Sequence, residues 1–380
     1  MWPHFQGPRR GGQLLLDLGQ LYILIPCGAK AQKRAAAADP AGLPLERQVM
    51  QREPESGLRV PADVLQGFVT DLCEAAGTTR EHADILARLL VRTDLRGIRS
   101  HGTLMASQYL ARMRAGEVNP RPGIRVDSES TTSRVYDGDG GMGHWPCYEG
   151  TLWAIERAKE HGTAAVTTRN HFHFGSASNY TVMALEADCL GFAVSSHRWG
   201  AEPEGNIFGL IRNSPLSFGI PAGEQPPIVP DQGMNIVGYN PELFARSPAV
   251  YFKALGLSVI PQLLGGIMAG IWKEEYVESN WISDQGSFIA VFDLARFIPI
   301  DEFKSRVDGY IDRARHLEPG EGLAQAELPG GPEHQHEKEY DKSGIPVADE
   351  VLEALEAEAA IVGIMTPFAN YEETRFGPDQ

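Results

Sequence analysis

The first chemical lead is a set of histidines. Ser100-His101-Gly102 is followed by Met105 and Tyr109, and residues four apart on a helix share one face. The spacing predicts a helix from about His101 to Arg114 carrying an imidazole, a thioether and a phenol along one stripe. An imidazole in that setting titrates near neutral pH and can give or take a proton. A capping Ser100 beside a solvated histidine fits the same residues. Further on, Asn170-His171-Phe172-His173-Phe174-Gly175 closes an apolar strand and feeds a helix. Alternate strand residues point to one side, so His171 and His173 are expected to face one cleft or to share a metal. Joined by His101 and Asp231, they would suit a metal-dependent hydrolase. His334-x-His336 lies in a charged stretch and is expected to be exposed.

Gly138-x-Gly140-x-x-Gly143 matches the glycine pattern that cradles a dinucleotide phosphate, and it sits between strand-like and helix-like residues. The following strand ends Thr167-Thr168-Arg169-Asn170, with no carboxylate to read a ribose. A tight turn uses the same glycines. Asp231 follows Pro227-Ile228-Val229-Pro230, and Lys253 opens an apolar run. A lysine there has its stem in apolar surroundings and its charge at the rim, which suits an anion or marks a helix boundary.

The elements that must position these groups change character along the chain. Val64, Leu65, Phe68, Val69 and Leu72 recur at helical spacing up to Gly77, and Thr78-Thr79-Arg80-Glu81 fits a capping box for a second helix through Ile85, Leu86, Leu89 and Leu90. From Ser133 strands alternate with helices: Arg134–Tyr136, Ala164–Thr168, Gly191–Ser195, Leu216–Ile220, Pro227–Val229 and Ser287–Phe292 are predicted strands. Ala254–Trp272 is predicted to be a buried core helix bent or broken at Pro261, Asp301 to cap an amphipathic helix, and 318–343 to be a surface loop. Without regular βα alternation, the fold class is α/β of the mixed α+β kind, a mixed sheet with helices on it. The predicted organisation is a disordered or targeting tail over 1–58, a helical region over 59–132, a mixed-sheet region over 133–275 and a C-terminal region over 276–380.

Composition limits the partners. Lys and Arg number 34 against 50 Asp and Glu, a net charge of −16, with no basic block for nucleic acid. Cys27, Cys73, Cys147 and Cys189 are scattered without a C-x-x-C pair, which excludes a zinc ribbon and suits free thiols in a reducing cytoplasm. Leu21–Ile25 resembles a short signal core, but Asp17 and Gln20 lie close before it. The glycines and Pro261 of the 254–272 run argue against a membrane span.

Taken in order, the motifs resemble the malate/L-lactate dehydrogenase family that does not use a Rossmann fold. The likeness spans about 60–362. It is carried by Asp94-Leu95-Arg96-Gly97-Ile98-Arg99-Ser100-His101-Gly102 with Tyr109 and Gly116, the Asp137–Gly143 turn, Asn170-x-x-His173-Phe174-Gly175 with Tyr180, and Leu190-Gly191-Phe192. Asn213-Ser214-Pro215-Leu216, Pro227-Ile228-Val229-x-Asp231 and Lys253-x-x-Gly256-Leu257 extend it. The resemblance implies reversible, NAD- or NADP-dependent reduction of a 2-oxo acid, or a cyclic imine acid, to the 2-hydroxy or amino acid. It implies catalytic roles for His101 and His173 and substrate contacts from Ser100 and Tyr109. Cofactor contacts fall on Ser196, His197, Asp231, Gln232, Gly233 and Lys253, with no metal, in a soluble homodimer. Where the family often carries an arginine for the substrate carboxylate, this chain has Met105, leaving Arg99, Arg169 or Arg212 to replace it. The stretch from Asp231 to Lys253 is shorter than the family pattern.

Overall fold

In the computed structural model residues 53–198, 205–321, 323 and 325–378 are described. Cys27 and nearly all of the predicted tail lie outside them. Residues 51–380 make up one compact unit. Strand β1 (Gly57–Val60) leads into α1 (Ala62–Ala75) and α2 (Arg80–Leu95), whose helical-spaced Leu65, Phe68, Val69, Leu72, Leu86, Leu89 and Leu90 are buried. The cap of α2 is Thr79, whose hydroxyl accepts from the His82 amide. The predicted box is therefore shifted by one residue, and Glu81 falls in the first turn without the reciprocal role. The expected single helix from His101 is also corrected. Short 3₁₀ turns at Arg99–His101 and Thr103–Met105 precede α3 (Ala106–Arg114). His101 thus leaves the helical stripe that it was expected to share with Tyr109.

Next come β2 (Arg125–Glu129), β3 (Ser133–Asp137), α4 (His144–His161), β4 (Thr163–His171), α5 (Ser178–Leu185), β5 (Cys189–His197), β6 (Pro215–Gly219) and β7 (Asp231–Gly233). Helices α6 (Pro241–Arg246) and α7 (Pro248–Pro261) follow, and α7 widens after Pro261 into a π-helix over Gln262–Met268. The chain ends with α8 (Glu274–Val277), β8 (Gln285–Asp293), α9 (Ile300–Arg315), α10 (Gly331–Ser343), β9 (Ile345–Ala348) and α11 (Asp349–Val362). Three expectations change. Pro227–Val229 contributes only one bridge, Ile228 to Ile220, and the strand forms at Asp231–Gly233. Asp301 lies in the first turn of α9, with Pro299 at the cap. The predicted 318–343 loop contains α10, on which His336 stacks over Tyr340 at 5.2 Å and is only partly exposed.

The main sheet has the order β2-β3-β4-β8-β5-β6-β7, and β1 pairs with β9 apart from it. Only β3 and β4 run parallel; the other neighbours are antiparallel. This is the expected mixed sheet and not the parallel sheet of a Rossmann domain. Successive strand residues face opposite sides. On one side Ser287 meets Cys147 of α4, while its neighbour Gly286 meets Ile271 and the Gly265 carbonyl on the other. The first side belongs to the extensive core built with α1–α5, whereas the second has a small cluster of Val194, Leu216 and Met234 with Phe192, Leu264 and Phe288 against it. Helix α7 is consequently not the buried core helix expected: Phe252, Leu257, Leu263, Ile267 and Met268 are exposed.

Candidate active site

His101 and His173 come together although they are far apart in sequence. Their rings stack with centroids 5.6 Å apart and planes inclined by 26°. His101 is delivered by the 3₁₀ turn after α2, which is held from beneath by Asp94. The buried Asp94 carboxylate accepts from the Thr103 amide at 2.8 Å and the Thr103 hydroxyl at 2.6 Å. Burial pushes Asp94 up to about 7, against the pull of these hydrogen bonds and of Arg99. Ser100 Oγ lies 2.9 Å from His101 Nδ1.

His173 arrives from the turn between β4 and α5, and the fully buried Tyr109 hydroxyl lies 2.5 Å from its Nδ1. His144, at the start of α4, packs edge-on to Tyr109 at 5.7 Å and to His173 at 6.4 Å. Burial holds His144 at about 3 and His173 well below the ordinary histidine value, the neighbouring imidazoles adding to the effect. Burial lowers His101 too, but the Asp231 carboxylate opposes it by favouring the charged form. Asp231 itself accepts from Ser176 Oγ at 2.6 Å and from the Ser178 amide at 3.0 Å, at the start of α5.

His171 does not share a cleft with His173. The register of β4 shifts between Thr168 and His171, and the His171 ring is fully buried. Its Nδ1 donates to the Phe172 carbonyl and its Nε2 accepts from Thr168 Oγ1, both at 2.7 Å. With both nitrogens engaged and burial holding it at about 4, His171 fixes the turn that presents His173. Among the described residues no group of three His, Cys, Asp or Glu side chains is placed to hold a metal. The glycine fingerprint resolves as a packing turn. A Cβ on Gly138 would sit 2.8 Å from His171 Cβ, and one on Gly143 2.5 Å from His171 Nδ1. The space that a phosphate would need is occupied by the chain itself.

The remaining predicted contacts spread along the sheet edge. His197 ends β5, partly exposed, beside Asp284; Gln232 is exposed on β7 and Gly233 partly so. Ser196 is buried, with the π-helix at Gly265 and Gly266 lying over it. Lys253 is exposed on α7. None of these four side chains hydrogen-bonds to the imidazole pair. Ser214 Oγ, fully buried where β6 begins beside β7, has no hydrogen-bond partner among the described residues. It is the kind of orphaned group that a bound amide or ribose would satisfy, so the residues present fit a dinucleotide. Arg169 pairs with Asp127, and Arg99 lies in the His101 turn. Sequence spacing did not single out Asp94 or His144 for the site. The first is seven residues before His101, and the second is visible only as the histidine that follows the glycine turn.

A mixed sheet presenting two close imidazoles, one beside a carboxylate and the other on a buried phenol, is an acid–base site suited to a reacting carbonyl oxygen. The family model described as Malate/L-lactate dehydrogenase matches residues 60–247 and 242–356, and the chain belongs to that family of oxidoreductases. It is 29% identical over 351 residues to the malate dehydrogenase of Pyrococcus horikoshii, covering 82% of this chain and 97% of that protein. The solved structure of that enzyme superimposes with a TM-score of 0.72 at 28% identity, covering 83% and 98% of the two chains. The ureidoglycolate dehydrogenase (NAD(+)) of Escherichia coli K12 is 22% identical over 335 residues, 80% of this chain and 96% of that protein. The first alignment has 351 positions, yet 82% of 380 residues is about 312, so about 39 positions of the relative face no residue here. The two blocks of the family match meet at 242–247, inside the stretch between Asp231 and Lys253.

Proposed function

We propose that this enzyme reversibly reduces a 2-oxo acid, or a cyclic imine acid, to the 2-hydroxy or amino acid with NADH or NADPH. The observation that carries the reading is the stacked His101–His173 pair, 5.6 Å apart and backed by Tyr109 and Ser100. The reduced nicotinamide supplies hydride to the carbonyl carbon. Negative charge then grows on the oxygen, and the imidazole pair offers it a hydrogen bond and a proton, contributions of about 10²–10⁴-fold. Arg99, beside Ser100 and His101, is the proposed partner of the substrate carboxylate in place of the arginine that Met105 displaces. His197, Gln232, Gly233 and Lys253, with the orphaned Ser214 hydroxyl, would line the dinucleotide, and Asp231 and Ser196 would brace it from behind. The helical 59–132 region would hold substrate, 133–275 the cofactor, and 276–380 would complete the enclosure. The setting is a soluble cytoplasmic homodimer.

The test is a panel of 2-oxo acids and cyclic imine acids with each reduced cofactor, run on wild type and His173→Ala. Turnover by wild type that is lost in the variant supports the reading. The missing 39 or so positions favour a second reading, a relative that binds dinucleotide without turning over. Fluorescence titration with NADH and NADPH separates them: quenching without turnover on any acid selects the second, and no binding of either cofactor removes both.

A further inference from the structure

We propose that Tyr109 is a positioning residue that locks His173 as a neutral imidazole protonated on Nε2. His173 is then a fixed hydrogen-bond donor to the reacting oxygen, and His101 alone carries the transferred proton. This inference rests on the dehydrogenase reading and replaces the substrate contact expected of Tyr109.

Tyr109 is wholly buried, and the only hydrogen bond of its phenol among the described residues is the one to His173 Nδ1 at 2.5 Å. A phenol has a single proton. If Nδ1–H donated into the phenolic oxygen, the O–H would be buried with no acceptor, an arrangement that folded proteins avoid. The phenol therefore donates, Nδ1 accepts, and the proton of the neutral ring lies on Nε2. Burial raises the Tyr109 pKa, so the phenol keeps its proton. His173 Nε2 has no protein partner among the described residues, and the ring is partly exposed, leaving that N–H free for substrate. A neutral imidazole that polarises a carbonyl without yielding its proton is a known catalytic device.

The surroundings of the two rings divide the work. His173 faces His101 from the 3₁₀ turn, Tyr109 from α3, His144 from α4 and His171 from β4, with no carboxylate among them. His101 faces Ser100, His173, His144 and, from β7, the Asp231 carboxylate. Two stacked imidazolium ions at this spacing would repel, so one ring charges, and the ring favoured by Asp231 is His101. In the reduction the carbonyl carbon gains a hydride pair and the C=O π pair moves onto oxygen. The proton of the His101 imidazolium passes to that oxygen and leaves His101 neutral, while His173 Nε2–H donates a hydrogen bond throughout. Oxidation reverses each transfer.

The test reads protonation directly. Full-length protein with ¹⁵N-labelled histidine is followed by NMR from pH 8 to pH 5.5, with His173 assigned by its loss in His173→Ala. Wild type is expected to show a neutral Nε2–H ring across the range, and Tyr109→Phe a ring that stays neutral, because burial and the neighbouring imidazoles are unchanged, but divides between the Nδ1–H and Nε2–H tautomers. A proton on Nδ1 in wild type, or a wild-type His173 that charges above pH 6, overturns the proposal without reference to Tyr109→Phe. In the pH profile of kcat/KM, Asp231→Asn should lower the apparent pKa by about one unit or more, and an unmoved limb overturns the role given to His101. The tautomer is read without turnover. An Nε2–H ring in a protein that reduces no acid would therefore sustain the Tyr109 lock while overturning the dehydrogenase reading and, with it, the proton-carrying role of His101.

Discussion

The imidazole site and the α7 face lie in one compact unit but are built in opposite ways. Around His101 and His173 the packing is close: Tyr109, His144, Phe174 and Tyr180 are almost wholly buried, and Asp94, Thr168, His171 and Asp231 all have hydrogen-bond partners, while both ring nitrogens of His144 have none among the described residues. Across the sheet, α7 and its π-helix rest on a cluster of three buried side chains, with Phe252 58% and Ile267 62% exposed. The two blocks of the family match also meet on that thin side, at 242–247. The contrast teaches that the acid–base machinery and the α7 side of the sheet are separable, because they draw on different cores.

The sharpest way to break this contrast is at the site. His173→Ala, which removes a hydrogen-bond donor to the reacting oxygen, should cut turnover by about 10²–10³-fold while leaving the fold intact, as checked by steady-state assay beside circular dichroism; a variant with wild-type turnover would put the chemistry elsewhere. Packing comes next. Phe174→Ala, removing a ring 1% exposed, should cost about 3–5 kcal/mol, whereas Ile267→Ser on the exposed face of the π-helix, at a side chain 62% exposed, should cost under about 0.5 kcal/mol. Denaturant unfolding measures both, and equal losses would mean that α7 is covered in solution. A smaller version uses glycine. Gly175 has φ +80 and a Cβ there would meet His144 Nε2 at 2.4 Å, so Gly175→Ala should destabilise the protein by about 1–3 kcal/mol. Gly256 within α7 has open space around it, and Gly256→Ala should stabilise the helix by up to about 1 kcal/mol.

The least pronounced effect is the dependence of stability on pH. His82, His101, His144, His171, His173 and His334 are all lowered from 6.5, with His144 and His171 held at about 3 and 4. Between about pH 6.5 and 4 the unfolded chain therefore binds protons that the folded chain refuses, and stability present above 6.5 is lost as pH falls. Asp94, Glu149 and Asp284 are raised and act in the other direction, their contribution being lost as pH rises. The histidines are more numerous, so the melting temperature should fall from pH 7 to pH 5; a rise would show that the carboxyls dominate.

Much of this was legible in the residues. The amphipathic α1 and α2, the strands Ala164–Thr168, Gly191–Ser195 and Ser287–Phe292 and the mixed character of the sheet follow from apolar periodicity, since burial of one face leaves a period in the sequence. The turn at His101 was misread as helix because the buried Asp94–Thr103 contact, a tertiary feature, tightens the backbone there. His171 and His173 looked equivalent by alternation, but β4 ends at His171 and leaves His173 in the turn beyond it. Strands β1 and β9 were missed because their partners lie nearly 300 residues apart, which no local pattern records.

By itself the sequence determined which groups are on hand and the family they belong to, because types, order and spacing are written in one dimension. Only the tertiary structure decided that His101 meets His173, that Tyr109 spends its proton on Nδ1, and that the glycine turn holds protein in place of phosphate. Those outcomes depend on approaches of a few ångströms between segments distant along the chain, set by how the sheet packs on its helices.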